Sequence, residues 1–280
     1  MKQVLLLFTL FLSVTNVKSQ VPYGSNPAAG KYVTVKGTKI YYETYGEGKP
    51  LLLLHGSILG YIDEFASFIP ELSKHFKVIA PAIRGHGKSE LGNEPFTYKL
   101  LAEDAMAVLK QEAVDSAFIV GFSAGAITGY FLAANYPQHF MKLVALAGAL
   151  HSNAYRPEAL QYLQGLTIDK LEKMFPAFIQ SRRKIMVQPE RYPELLSKLS
   201  KTWTAGSYTA PAKPSDIKCP VLTIGGDRDF YFPASSFVSV YEQITGSQLA
   251  IIPNADHVSM IQGQTLLNVL ILPFLLNQKN

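Results

Sequence analysis

Six short runs in this chain are apolar at nearly every position: residues 51–54, 76–80, 117–120, 143–146, 221–224 and 249–252. A strand with one wet face alternates apolar and polar residues. A run without that alternation belongs to a strand buried on both faces, as in a parallel sheet covered by helices. The segments between the runs have helical spacing. Over residues 98–113, Leu101, Ala105, Val108 and Leu109 share one face, with Glu103, Asp104, Lys110 and Gln111 elsewhere. The same reasoning predicts helices over 124–135, 234–244 and 258–272. Strand and helix in alternation specify an α/β core with a mostly parallel sheet. Ahead of it, β-formers flank Lys36-Gly37 within residues 31–48, which predicts a hairpin.

Residues 151–215 break the rhythm. They hold no strand-like run, carry Tyr155, Met174, Phe178 and Trp203 among apolar residues at helical spacing, and are punctuated by six prolines. Several short helices inserted between two strands fit this pattern. The core is then built from residues 31–150 and 216–280. With 48% hydrophobic and 17% charged residues the chain can bury a large core.

The N-terminus reads as a targeting segment. Lys2 precedes an apolar stretch over 4–14, and Val17 and Ser19 stand at the −3 and −1 positions before Gln20. This is the pattern of a secretory signal peptide over residues 1–19, too short to serve as a stable membrane anchor. Export to a periplasm or the outside follows, with residues 20–30 as a flexible lead-in. The 26 Lys+Arg against 21 Asp+Glu give +5 without a basic run, so nucleic acid is not expected as a partner. The lone Cys219 excludes an internal disulfide framework and a multi-cysteine zinc site.

Gly121-Phe122-Ser123-Ala124-Gly125 is a G-x-S-x-G pattern placed between a buried strand and a helix. A sharp turn there needs glycine where backbones nearly touch, and it presents the serine hydroxyl at the sheet edge. A serine hydroxyl needs a base to become a nucleophile. His257, just after the last core strand, is the candidate. Its imidazole in turn needs a carboxylate to fix the tautomer. The loop Gly225-Gly226-Asp227-Arg228-Asp229-Phe230 offers two. Asp229, deeper in the loop, is the expected partner, whereas Asp227 is expected to hold the turn or to pair with Arg228.

The order Ser123, Asp229, His257 resembles the α/β-hydrolase fold superfamily. The resemblance extends to Leu54-His55-Gly56-Ser57, Arg84-Gly85-His86-Gly87-Lys88-Ser89 and Pro220-Val221-Leu222, and spans nearly all of the chain beyond the targeting segment. It implies an eight-stranded, mostly parallel sheet flanked by helices, with residues 151–215 forming a helical cap. It also implies an oxyanion hole from the backbone N–H groups of Ser57 and Ala124. Ile58, Phe122, Phe230 and Trp203 are expected in the substrate pocket, and Tyr155, Met174, Phe178, Trp203 and Tyr208 are candidates to line the underside of the cap. The loop 84–89 is expected to be structural. Ala82 stands where such loops commonly carry aspartate, which alters local packing.

The resulting expectation is a capped serine hydrolase acting on a small ester, lactone or related acyl compound through an acyl-enzyme, with no metal or organic cofactor. Carbon–carbon hydrolases, aminopeptidases, haloperoxidases and acyltransferases share this arrangement, and a non-catalytic binding protein can be built on the same scaffold. The expected aminopeptidase feature, an acidic cluster in the cap for a free amine, is not evident in residues 151–215. Neither the oligomeric state nor the acyl group is legible.

Overall fold

The structure, a computed structural model, describes residues 21–204, 213–261 and 265–277. The targeting segment and Tyr208 lie outside the described residues. The chain starts with β1 (Gly30–Val35) and β2 (Thr38–Tyr45), then β3 (Lys49–Leu54), α1 (Ile69–Leu72) and β4 (Phe76–Pro81). There follow α2 (Tyr98–Gln111), β5 (Ala117–Phe122), α3 (Ala124–Asn135) and β6 (Phe140–Leu146). The interrupting segment forms α4 (Pro157–Gln164), α5 (Ile168–Met174), α6 (Pro176–Ile185) and α7 (Tyr192–Thr204). The core resumes with β7 (Val221–Gly226), α8 (Ala234–Gln243), β8 (Gln248–Ile252) and α9 (Leu272–Leu276).

The eight strands form one sheet in the order β1-β2-β4-β3-β5-β6-β7-β8. Strand β2 pairs antiparallel with β1 and β4, and the remaining pairings are parallel. The six apolar runs are the six strands of the parallel part, and each is longer in the structure by a residue or more at one or both ends. The expected hairpin is present. Val35 pairs with Thr38, and positive φ at both Lys36 and Gly37 (50° and 77°) marks a type I′ turn, whose twist matches that of the strands.

Two apolar layers cover the sheet. Residues of α2, α3, α8 and the helices of 157–204 pack on one face. The turn around Phe65, helix α1 and the C-terminal residues 267–275 pack on the other. Helix α3 is buried on nearly all sides, between β5 and α2. Among the described residues no helix is long and apolar enough to cross a membrane.

Two expectations need correction. The helix expected over 258–272 is not uniform among the described residues: a 3₁₀ turn spans Val258–Ile261, a π-helical turn spans Leu267–Ile271, and α9 follows with Pro273 in its first turn. Proline lacks an N–H and crowds the preceding turn, so an α-helix does not run through it undisturbed. The lead-in, expected to be flexible, is tied down from Val21 onward. The buried Glu43 carboxylate accepts the N–H groups of Gly24 (2.7 Å) and Asn26 (2.8 Å), and the Tyr61 hydroxyl donates to the Gly24 carbonyl. Composition marks Pro and Gly as flexible, but a buried acid on β2 gives their backbone a partner.

The loop 84–89 packs as a structural element. Arg84 is fully buried, and its Nε and Nη2 bind both oxygens of Asp104 on α2 at 2.7 and 2.6 Å. Ala82, two residues earlier, is buried, and the carboxylate that the guanidinium binds comes from the neighbouring helix. His86 Nδ1 donates to the Arg84 carbonyl at 3.1 Å. Burial lowers the His86 pKa to about 4, so this imidazole stays neutral.

Candidate active site

The site lies where parallel strands end. Leu54 of β3 pairs with Gly121 of β5, so the loops after these two strands leave the sheet side by side. Gly226 of β7 pairs with Ile252 of β8, which brings the next two loops to the same edge. Clefts beyond the carboxyl ends of such strands are where open α/β sheets bind ligands.

Ser123 sits between β5 and α3 at φ 53°, ψ −117°, a strained conformation for a non-glycine residue. Its neighbours explain the glycines. A Cβ on Gly121 would lie 2.4 Å from the Gly125 carbonyl oxygen, and one on Gly125 would lie 2.0 Å from that of Leu54. No side chain fits in either place, so the elbow is held by close packing of three backbone segments. Ile58, in the loop after β3, also has positive φ (67°), which is costly for a β-branched residue.

His257 Nε2 lies 3.0 Å from Ser123 Oγ, and its Nδ1 lies 2.7 Å from Asp229 Oδ2. Asp229 is buried, and its other oxygen accepts the N–H groups of Tyr231 (2.7 Å) and Phe232 (3.0 Å). A carboxylate with these donors accepts only, so the proton of a neutral imidazole resides on Nδ1. Nε2 is then free to accept from the serine hydroxyl. The rings of Phe122, Tyr231 and Phe232 surround His257, with centroids at 5.1, 4.6 and 6.2 Å.

The two loop carboxylates take different partners, His257 for Asp229 and Arg228 for Asp227. Asp229 both reaches His257 and holds the turn. Asp227 stands 3.8 Å from Arg228 Nε, and its Oδ1 has no hydrogen-bond partner. Ser57, in the loop after β3, lines the same cavity as Ser123, and Ala124 follows Ser123 and opens α3. Among the described residues neither amide N–H has a backbone acceptor. His55 is turned away from the chemistry. Its Nδ1 donates to the Gly56 carbonyl at 2.6 Å and its Nε2 accepts the Ile83 N–H at 2.8 Å. Burial holds its pKa well below the usual histidine range.

Ser123 and His257 open into a cavity of about 260 Å³. Ser57, Ile58, Phe122 and Trp203 line it. Phe230 does not. It is 45% exposed and packs edge-on against Tyr162 and Tyr231. The cause is local: by taking the amides of Tyr231 and Phe232, Asp229 turns the chain so that these two residues line the cavity and Phe230 faces out. Tyr155 lines the cavity, whereas Met174 and Phe178 do not, and Phe175, itself 44% exposed, forms part of the wall. Residues Leu163, Leu166 and Leu171 complete the apolar side.

Sequence reasoning missed Glu64. It stands on a 3₁₀ turn, Ile62–Phe65, and its carboxyl reaches the cavity. Its Oε2 accepts the Gly56 N–H at 2.8 Å. The available signal was an acid set among residues that become core, Tyr61, Ile62, Phe65 and Phe68. Among the described residues no group of three or more His, Cys, Asp or Glu side chains is arranged to hold a metal ion.

A family model described as alpha/beta hydrolase fold matches residues 49–176. The AB hydrolase superfamily protein YisY of Bacillus subtilis is 26% identical over 88% of this chain and 98% of its own length. The 3-oxoadipate enol-lactonase 2 of Acinetobacter baylyi is 26% identical over 82% of this chain and 90% of its own. The crystal structure of a hydrolase from Pseudomonas aeruginosa PA01 superposes with a TM-score of 0.71 at 26% identity, covering 90% of this chain and all of that one.

Proposed function

We propose that this chain, an enzyme of the α/β-hydrolase fold superfamily, cleaves a small ester or lactone through an acyl-enzyme on Ser123. The observation that carries the reading is the unbroken relay from Ser123 Oγ through His257 to Asp229, at 3.0 and 2.7 Å, opening on an apolar cavity. Ser123 Oγ attacks the acyl carbon as His257 Nε2 takes its proton. The carbonyl oxygen gains negative charge, which the N–H groups of Ser57 and Ala124 stabilise. The bond to the leaving oxygen then breaks, and His257 returns the proton to that oxygen. Water repeats the sequence on the acyl-enzyme and frees Ser123. Asp229 holds the imidazole in the required tautomer and balances its positive charge.

The cavity size and its mainly apolar, aromatic walls favour a compact acyl group. A fluorophosphonate is expected to label Ser123 stoichiometrically, and p-nitrophenyl esters of short to medium chain length to be turned over. Absence of both labelling and turnover, in protein that melts cooperatively, would leave a non-catalytic binding role. The pattern of residues 1–19 further supports export of the mature enzyme. N-terminal sequencing of the mature protein is expected to begin at Gln20, and retention of Met1–Ser19 in the cell would overturn the export reading.

A further inference from the structure

We propose that the Glu64 carboxylate is a specificity device of the cavity, receiving an ammonium group carried by the substrate; this rests on the hydrolase reading above. Glu64 lines the same cavity as Ser123 and His257. Its Oε2 is fixed by the Gly56 N–H, in the loop that carries Ser57. Oε1 accepts no hydrogen bond from any described residue, which leaves it available to a ligand. Glu64 is the sole carboxylate among the described residues lining the cavity.

The surrounding charges leave Glu64 unneutralised. Arg182 of α6 approaches it, but Arg182 Nη1 binds Asp63 Oδ2 at 2.6 Å and Nε binds the Leu59 carbonyl at 2.8 Å. Arg182 and Asp63 thus cancel each other, and an ionised Glu64 is the surplus negative charge. His55, the nearest buried imidazole in the adjoining loop, is kept neutral by burial. His257 faces the same cavity and is committed to Asp229 and Ser123. Much of the remaining wall is aromatic: Tyr155, Tyr162, Phe175, Trp203, Tyr231 and Phe232. Ring faces attract cations, and a desolvated carboxylate binds an ammonium by a strong, charge-assisted hydrogen bond. A neutral alkyl group at the same place leaves the carboxylate desolvated without a partner.

Burial pushes the Glu64 carboxyl up to about 8, against the pull of the Gly56 N–H and of Arg182 and with a further push from Asp63. In the free enzyme at neutral pH the group is therefore largely protonated. An alkylammonium keeps its own charge to about pH 10. Preference for a cationic substrate must then grow as pH rises through about 8, where Glu64 ionises.

The test compares p-nitrophenyl 6-aminohexanoate with p-nitrophenyl hexanoate as a ratio of kcat/KM, with Ser123→Ala as the blank. For the wild-type enzyme the ratio is expected to exceed about tenfold at pH 9, as a hydrogen bond to a charged group would give, and to be several-fold smaller at pH 6.5. Glu64→Gln keeps an acceptor for the Gly56 N–H but carries no charge, and should bring the ratio to near one at both pH values. Using the ratio cancels any loss common to both esters. A wild-type ratio near one at pH 9, or a ratio that survives Glu64→Gln, overturns the proposal. The wild-type pH dependence alone decides it should Glu64→Gln fail to fold. If neither ester is cleaved, the hydrolase reading fails instead. Calorimetry of 6-aminohexanamide against hexanamide on Ser123→Ala, with and without Glu64→Gln, then still tests Glu64. Equal affinities would overturn it.

Discussion

Ser123→Ala is expected to lose about 10⁶-fold in kcat while its melting temperature stays close to that of the wild type. The change removes one hydroxyl from a cavity wall. The strained backbone at φ 53° is retained, and its neighbours, Gly121 and Gly125, still allow the tight approach of β5, α3 and the loop after β3. What disappears is the atom that forms the acyl bond. His257 then has no hydroxyl from which to take a proton, and only the oxyanion donors and binding remain to accelerate hydrolysis. Active-site titration with a fluorophosphonate and steady-state turnover of the best ester check this together. Turnover within tenfold of the wild type in titrated, purified Ser123→Ala would overturn the mechanism.

Asp229→Asn is expected to lower kcat by about 10³- to 10⁴-fold. The amides of Tyr231 and Phe232 both donate to Oδ1, so the Asn oxygen must take that position and its NH₂ group must face His257 Nδ1. Two donors then oppose each other. The imidazole relieves the clash by moving its proton to Nε2, where it can no longer accept from Ser123. Asp227→Asn is expected to leave kcat near wild type and to change stability by less than about 1 kcal/mol, because its carboxylate is partly exposed and its one ion-pair partner, Arg228, is largely exposed. Measuring kcat and melting temperature for both variants separates the two acids. Loss of activity in Asp227→Asn with Asp229→Asn near normal would reverse the assignment.

The fold was legible because its strongest determinants are local in sequence. A strand buried on both faces must be apolar throughout, so the six runs locate the six strands of the parallel part directly. The elbow was equally legible, since the glycines flanking Phe122-Ser123-Ala124 are demanded by contacts that any side chain would violate. His257 followed from its place after the last strand. The C-terminal helix was not legible in detail, because apolar spacing does not register the π-helical turn that precedes Pro273.

The sequence by itself determined the parallel sheet, the serine, the histidine and a short choice of acids. Only the tertiary structure decided which acid reaches the histidine, that Tyr231 and Phe232 rather than Phe230 line the cavity, and that Glu64 stands in its wall. The physical reason is common to all three. Each depends on the direction in which a loop side chain points. In loops that direction has no period for a sequence to reveal. It is set by single hydrogen bonds, such as those from Tyr231 and Phe232 to Asp229 and from Gly56 to Glu64, made only once distant strands stand side by side.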